Sequence, residues 1–129
     1  DKELGKKLVE PTRIYVKVVM SLIKQINVHG IAHITGGGLF ENVPRILPDN
    51  VMAIFDSTTW DVQEIFNLIQ NQGQVDTIEM YHVFNMGLGM VLSVNPSQTD
   101  EVLNTIPTSK IVGKVAEKTG ADRVVIENI

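Results

Sequence analysis

The chain contains no cysteine, which excludes a disulfide framework, a thiolate nucleophile and any cysteine-built zinc site. That usage fits a reducing compartment such as the cytoplasm. Aromatic residues make up only 5% of the 129 residues, so the core has to be assembled largely from aliphatic side chains. No apolar run is long enough to span a membrane, and the opening "DKELGKKLVEPTR" lacks the apolar centre of a signal peptide. Positive charge is also scarce, with 11 Lys and Arg against 15 Asp and Glu for a formal charge of −4. A general nucleic-acid surface needs a basic stripe, so neither nucleic acid nor membrane is an expected partner. A local positive pocket for phosphate is compatible with the same totals.

What is present reads as one globular domain of ordinary size, 43% hydrophobic and 20% charged. The polar opening segment is expected to be a strand or linker arriving from something upstream. Thr12 after Pro11 is placed to cap a helix on which Ile14, Tyr15, Val18, Val19, Leu22, Ile23 and Ile26 recur at helical spacing. Lys17, Ser21, Lys24 and Gln25 fill its other face. Ile31 to Ile34 reads as a strand, and Pro44 should delay or kink the helical pattern of Leu39 to Leu47. Val51 to Phe55 has the continuous apolar character of a central strand.

Asp61 with Glu64, and Asp76 with Glu79, have capping-box spacing and predict two helices, the first ended near Gly73. Leu88 to Val94 reads as a strand, Ser97 to Ile106 as a helix stopped by Pro107, and 111–116 and 123–126 as strands. The order favours an α+β fold, a layered α/β sandwich with a mixed sheet and some ferredoxin-like character.

The candidate chemistry centres on "HITGGGLFENVPRILP", residues 33–48. A strand, three glycines and a helix start are the setting in which backbone N–H groups receive phosphate. Neither familiar phosphate motif is present, because no lysine follows the glycines and Glu41 stands where the dinucleotide fingerprint needs its last glycine. A plain turn with close backbone packing explains the same residues, and local pattern leaves both readings open. Glu41, Asn42 and Arg45 follow closely enough to ring a pocket there, and the Arg45 fork suits phosphate.

His29, His33 and His82 lack metal-ligand spacing and read as core or rim residues. In "FNMGLGM", residues 84–90, two glycines mark a bulge or a close approach by ligand or backbone. No serine sits in a nucleophile-elbow context, so a Ser-His-Asp hydrolase is not indicated.

Taken in order, "EPTRIYVK" (10–17), "AHITGGGLFENVPRILP" (32–48), "MYHVFNMGLGMVLSV" (80–94) and "KIVGKV" (110–115) resemble the C-terminal domain of the phosphoribosylformylglycinamidine cyclo-ligase (AIR synthetase) family. The resemblance implies an AIR synthase C-terminal-domain-like fold over residues 1–129. It also implies a separate N-terminal domain, outside this sequence, that holds most of the ATP and Mg²⁺ and forms a homodimer core. The implied activity is ATP-dependent ring closure of formylglycinamidine ribonucleotide in purine biosynthesis, in the cytoplasm.

Under that resemblance Gly36, Gly37 and Gly38 would offer N–H groups to a phosphate of ribonucleotide or ATP. Thr35 and Asn42 would hydrogen-bond it, Arg45 would offset its charge and His33 would line the wall. Thr12 and Arg13 would face the same cleft, and Asn85 would pin the "NMG" turn. The competing readings are the matching domain of an amidotransferase relative, which "ENVPR" disfavours, and a non-catalytic ligand-binding module sharing the fold.

Overall fold

A computed structural model describes residues 2–129. Its elements run α1 (Lys2–Leu8), α2 (Val16–Ile23), β1 (Val28–His33), α3 (Gly38–Asn42), β2 (Val51–Asp56), α4 (Glu64–Gly73), α5 (Thr77–Val83), β3 (Met90–Val94), α6 (Thr99–Thr105), β4 (Gly113–Glu117) and β5 (Val124–Glu127). The strands divide between two sheets. β1 and β3 form an antiparallel pair, and β2 lies between an antiparallel β4 and a parallel β5. The fold is α+β, and the three-stranded sheet is mixed, as the element order led one to expect.

Two apolar clusters hold the layers together. The larger gathers Ala32 and Ile34 beside β1, Leu39 and Val43 around α3, Ala53 and Phe55 of β2, Met80 and Tyr81 of α5, and Val124 and Ile126 of β5. The smaller packs Leu22 and Ile26 against Val102 and Ile106, with Leu92 and Val94 of β3 beneath. Helices therefore cover both faces of the β1–β3 pair. On β2, Met52 is buried along with Ala53 and Phe55, which fits the continuous apolar run of a central strand.

Four local expectations are corrected. Residues 2–8 are helix α1, neither strand nor linker, and it buries no residue of its own. Helix α2 starts at Val16 with Tyr15 at its N-cap, so Thr12 caps nothing and Ile14 lies in an irregular segment, 83% exposed. The outer face of α2 is apolar as well as polar, since Val16, Met20 and Ile23 are exposed beside Lys17. Asp61 does not cap α4, which opens at Glu64 behind Gln63.

Asp61 takes an ion pair from Lys110 Nζ at 2.8 Å instead. The hydrogen bond and the charge of Lys110 hold its carboxyl below the usual range. Any stability from this exposed pair is present above the carboxyl's unfolded pKa and is lost as pH falls through the lower folded value.

Other expectations hold locally. Asp76 caps α5 by accepting the Ile78 N–H at 2.9 Å. Pro44 ends α3 after five residues and opens a 3₁₀ turn, Pro44–Ile46. Arg123, just before β5, ties down the chain that follows, donating to the carbonyls of Pro44, Leu47 and Pro48 at 3.4, 2.9 and 3.0 Å.

Candidate functional site

The three glycines leave β1 and enter α3, and each position makes a different demand. Gly38 has φ +55°, and a Cβ there would run into the carbonyl oxygens of Tyr81 and Phe84 at the end of α5. Gly37 has φ +94° and lies against the Glu41 side chain. Gly36 has no such constraint, because a Cβ would meet nothing within 4 Å and its φ is not in the left-handed region. Packing and backbone angle explain glycine at Gly37 and Gly38. Nothing in the chain's own packing explains it at Gly36.

The hydrogen bonds of the turn sort its N–H groups. Gly38 donates to Thr35 O at 3.0 Å, closing the turn. Among the described residues no acceptor takes the N–H of Gly36 or Gly37. Successive free N–H groups next to a left-handed residue are the backbone habit of anion-binding concavities.

Asn42 is buried, 5% exposed, and it faces the turn from inside. Its Nδ2 donates to the carbonyls of Thr35, Gly36 and Gly38 at 3.3, 3.3 and 2.8 Å. Thr35 Oγ1 donates to its Oδ1 at 3.4 Å. Its amide is committed to the turn's carbonyls, so Asn42 positions the turn; it does not reach outward for a ligand. The clue in the sequence is the company it keeps, since Leu39 on the same short helix and Val43 just after it are both core residues.

His33 and Arg13 are joined through a residue that the sequence pattern assigned only to a helix stripe, Tyr15. Its ring meets His33 edge-on at 6.1 Å and carries the Arg13 guanidinium at 5.6 Å. Arg13 also donates to Thr108 Oγ1 at 3.2 Å. The Tyr15 ring seats against Gly89, which leaves no room for a Cβ there. Gly89 O in turn accepts the N–H of Ile34 at 2.9 Å, next to Thr35. Arg13, Tyr15 and His33 thus form one cluster, with His33 at the end of β1, two residues before Thr35 and the glycine turn.

The other candidates stand apart. Arg45 is exposed on the 3₁₀ turn and makes no ion pair or side-chain hydrogen bond among the described residues. Thr12 is exposed and makes no hydrogen bond among the described residues. Asn85 belongs to a second turn, where its Oδ1 accepts Gly87 N–H at 3.0 Å. Trp60 Nε1 buttresses that turn through Met86 O at 2.9 Å, and Gly87 lies close to the Asp61 carbonyl. The close approaches in "FNMGLGM" are therefore those of Asp61 and Tyr15. Among the described residues no group of three or more His, Asp or Glu side chains could hold a metal ion.

The chain is an α+β domain whose glycine turn, between β1 and α3, leaves the N–H groups of Gly36 and Gly37 without an acceptor among the described residues. Residues 1–126 match the family described as "AIR synthase related protein, C-terminal domain", and the chain belongs to that family. It is similar to the phosphoribosylformylglycinamidine cyclo-ligase of Geotalea daltonii, 49% identical over 121 residues, covering 91% of this chain and 35% of that protein. It is also similar to the phosphoribosylformylglycinamidine cyclo-ligase of Bifidobacterium animalis subsp. lactis, 50% identical over 106 residues, covering 82% of this chain and 31% of that protein. The chain spans about a third of the length of these curated relatives.

Proposed function

We propose that the chain is the C-terminal domain of an ATP-dependent cyclo-ligase that converts formylglycinamidine ribonucleotide to 5-aminoimidazole ribonucleotide, ADP and phosphate in purine biosynthesis. In this reading the turn at Gly36 and Gly37 receives a phosphate of the ribonucleotide or of ATP. The family match and the names of the two relatives support the enzyme class. The observation that carries the site is Gly36, open to solvent with an unclaimed N–H and no packing reason to be glycine.

The chemistry asks little of side chains. The formyl oxygen is a poor leaving group until the γ-phosphoryl of ATP is transferred onto it. An amidine nitrogen then attacks that carbon, loses a proton and expels the oxygen as phosphate. Such a reaction is accelerated by positioning and by neutralising phosphate charge. The chain's own contribution is to hold phosphate on backbone N–H groups, with the Arg13–Tyr15–His33 cluster near the end of the strand that leads into the turn, while Arg45 on the 3₁₀ turn adds positive charge from further off. Metal binding, ATP binding and dimer formation are assigned to the portion of the parent outside these residues, and no step is derived through Mg²⁺.

Substitution at Gly36 separates this reading from a plain turn. Gly36→Ala is expected to leave the urea midpoint unchanged while weakening phosphate binding, measured by calorimetry, about tenfold, equivalent to about 1.4 kcal/mol. Arg45→Ala, which removes an exposed charge that stands apart from the turn, should weaken it by a smaller factor, and Glu41→Gln should strengthen it a few-fold by removing a negative charge beside Gly37. Equal affinity across all three variants would refute the cradle.

A further inference from the structure

Between the two sheets lies a cleft of about 910 Å³. All five residues of β3 line one side, and Gly113, Lys114 and Val115 of β4 line the other. The glycine turn does not contribute to it. The backbone on both walls is unsatisfied.

In the β1–β3 ladder Ile34 donates to Gly89 O, and the register pairs Ala32 with Val91 and Gly30 with Ser93. Antiparallel pairs alternate between bonded and non-bonded, so Val91 and Ser93 turn their N–H groups to β1, while Met90 and Leu92 turn theirs to the cleft. In the β2–β4 ladder Asp56 donates to Val112 O and Lys118 to Asn50 O. With Ile54 opposite Lys114 and Met52 opposite Ala116, the same alternation points the N–H groups of Gly113 and Val115 away from β2. Among the described residues, no acceptor takes any of these four N–H groups.

Two open strand edges facing one cleft have a single common solution: a strand between them. We infer that an extended segment of the parent polypeptide, outside these 129 residues, inserts between β3 and β4 and joins the two sheets into one of six strands. The order would be β1, β3, the inserted strand, β4, β2, β5. The segment must be apolar on both faces, because Val91, Leu92 and Val94 on one wall and Val112 and Val115 on the other set the character of the space it fills.

The relatives are about three times as long as the aligned stretch, so a parent of that size has chain to supply the strand. A second copy of this chain could pair with one edge from outside, but satisfying both at once takes one strand in the gap. Filling the cleft also explains why β4 is exposed along four of its five residues here, Val115 among them. This inference is independent of the phosphate reading.

Hydrogen exchange resolved to single amides, in the full-length Geotalea daltonii relative, tests it with an internal control. The amides matching Met90, Leu92, Gly113 and Val115 should exchange as slowly as those matching Val91 and Ser93, at every protein concentration. In the 129-residue chain the first set should exchange about 100-fold faster than the second. The inference is overturned if the two sets also split in the full-length relative. It is equally overturned if protection there disappears on dilution to monomer, which would put a second copy in the cleft, or if the short chain alone protects both sets.

Discussion

Gly38→Ala is expected to lower stability by about 3 kcal/mol, enough to unfold a large share of molecules in a marginal domain. The left-handed φ of +55° strains any residue with a Cβ, and that Cβ would meet two backbone carbonyls, of Tyr81 and Phe84. Backbone cannot swing aside as a side chain can, so α5 has to shift relative to α3. The two helices pack Leu39 against Met80 and Tyr81 in the centre of the larger core. Urea denaturation should show a lower midpoint with an unchanged slope. The contrast with Gly36→Ala, two residues away and harmless to folding, separates a structural glycine from a functional one.

The second large effect is expected at Asn42. Asn42→Ala removes the donor shared by three carbonyls and empties the buried space its amide fills; Thr35 O keeps the Gly38 N–H, so the expected cost is about 2 kcal/mol. Asn42→Asp keeps the size and should cost more at neutral pH, because a carboxylate would face the oxygens of Thr35, Gly36 and Gly38 with nothing to donate. Burial and those carbonyls would raise the pKa of the new carboxyl above its unfolded value. The protonated acid can donate one hydrogen bond, so part of the penalty should be relieved as pH falls through that raised value. Thermal melts of Asn42→Asp between pH 4 and pH 8 would check the sign. Both variants should also weaken phosphate binding, since the turn loses its internal brace.

Much of the fold was legible because it is written locally. The apolar run at β2, the Asp76 cap and the break at Pro44 each depend on a few neighbouring residues, and each forms where the pattern placed it. What could not be read depends on distant partners or on no partner at all. Helix α1 buries nothing, so it has no amphipathic stripe to announce it. Asp61 has the spacing of a cap, but Lys110, far along the chain, takes its carboxylate. The parallel seat of β5 beside β2 is a choice of partner that periodicity does not encode.

The site divides in the same way. The glycine turn stood out from sequence because three glycines between a strand and a helix are conspicuous. The inward commitment of Asn42 and the linking role of Tyr15 did not, because each follows from which way a side chain points after packing. Met86, at φ +47° without being glycine, carries no signal in the sequence at all.

The central claim is that the N–H groups of Gly36 and Gly37 are held open for a phosphate. Titrating the ¹⁵N-labelled chain with inorganic phosphate, and then with the ribonucleotide, observes those two amides directly. Saturable downfield shifts at Gly36 and Gly37 are expected, with Gly38 unmoved because its N–H is already given to Thr35 O at 3.0 Å. Unshifted Gly36 and Gly37 amides at saturating phosphate and ribonucleotide, or shifts confined to the surface lysines, would contradict it.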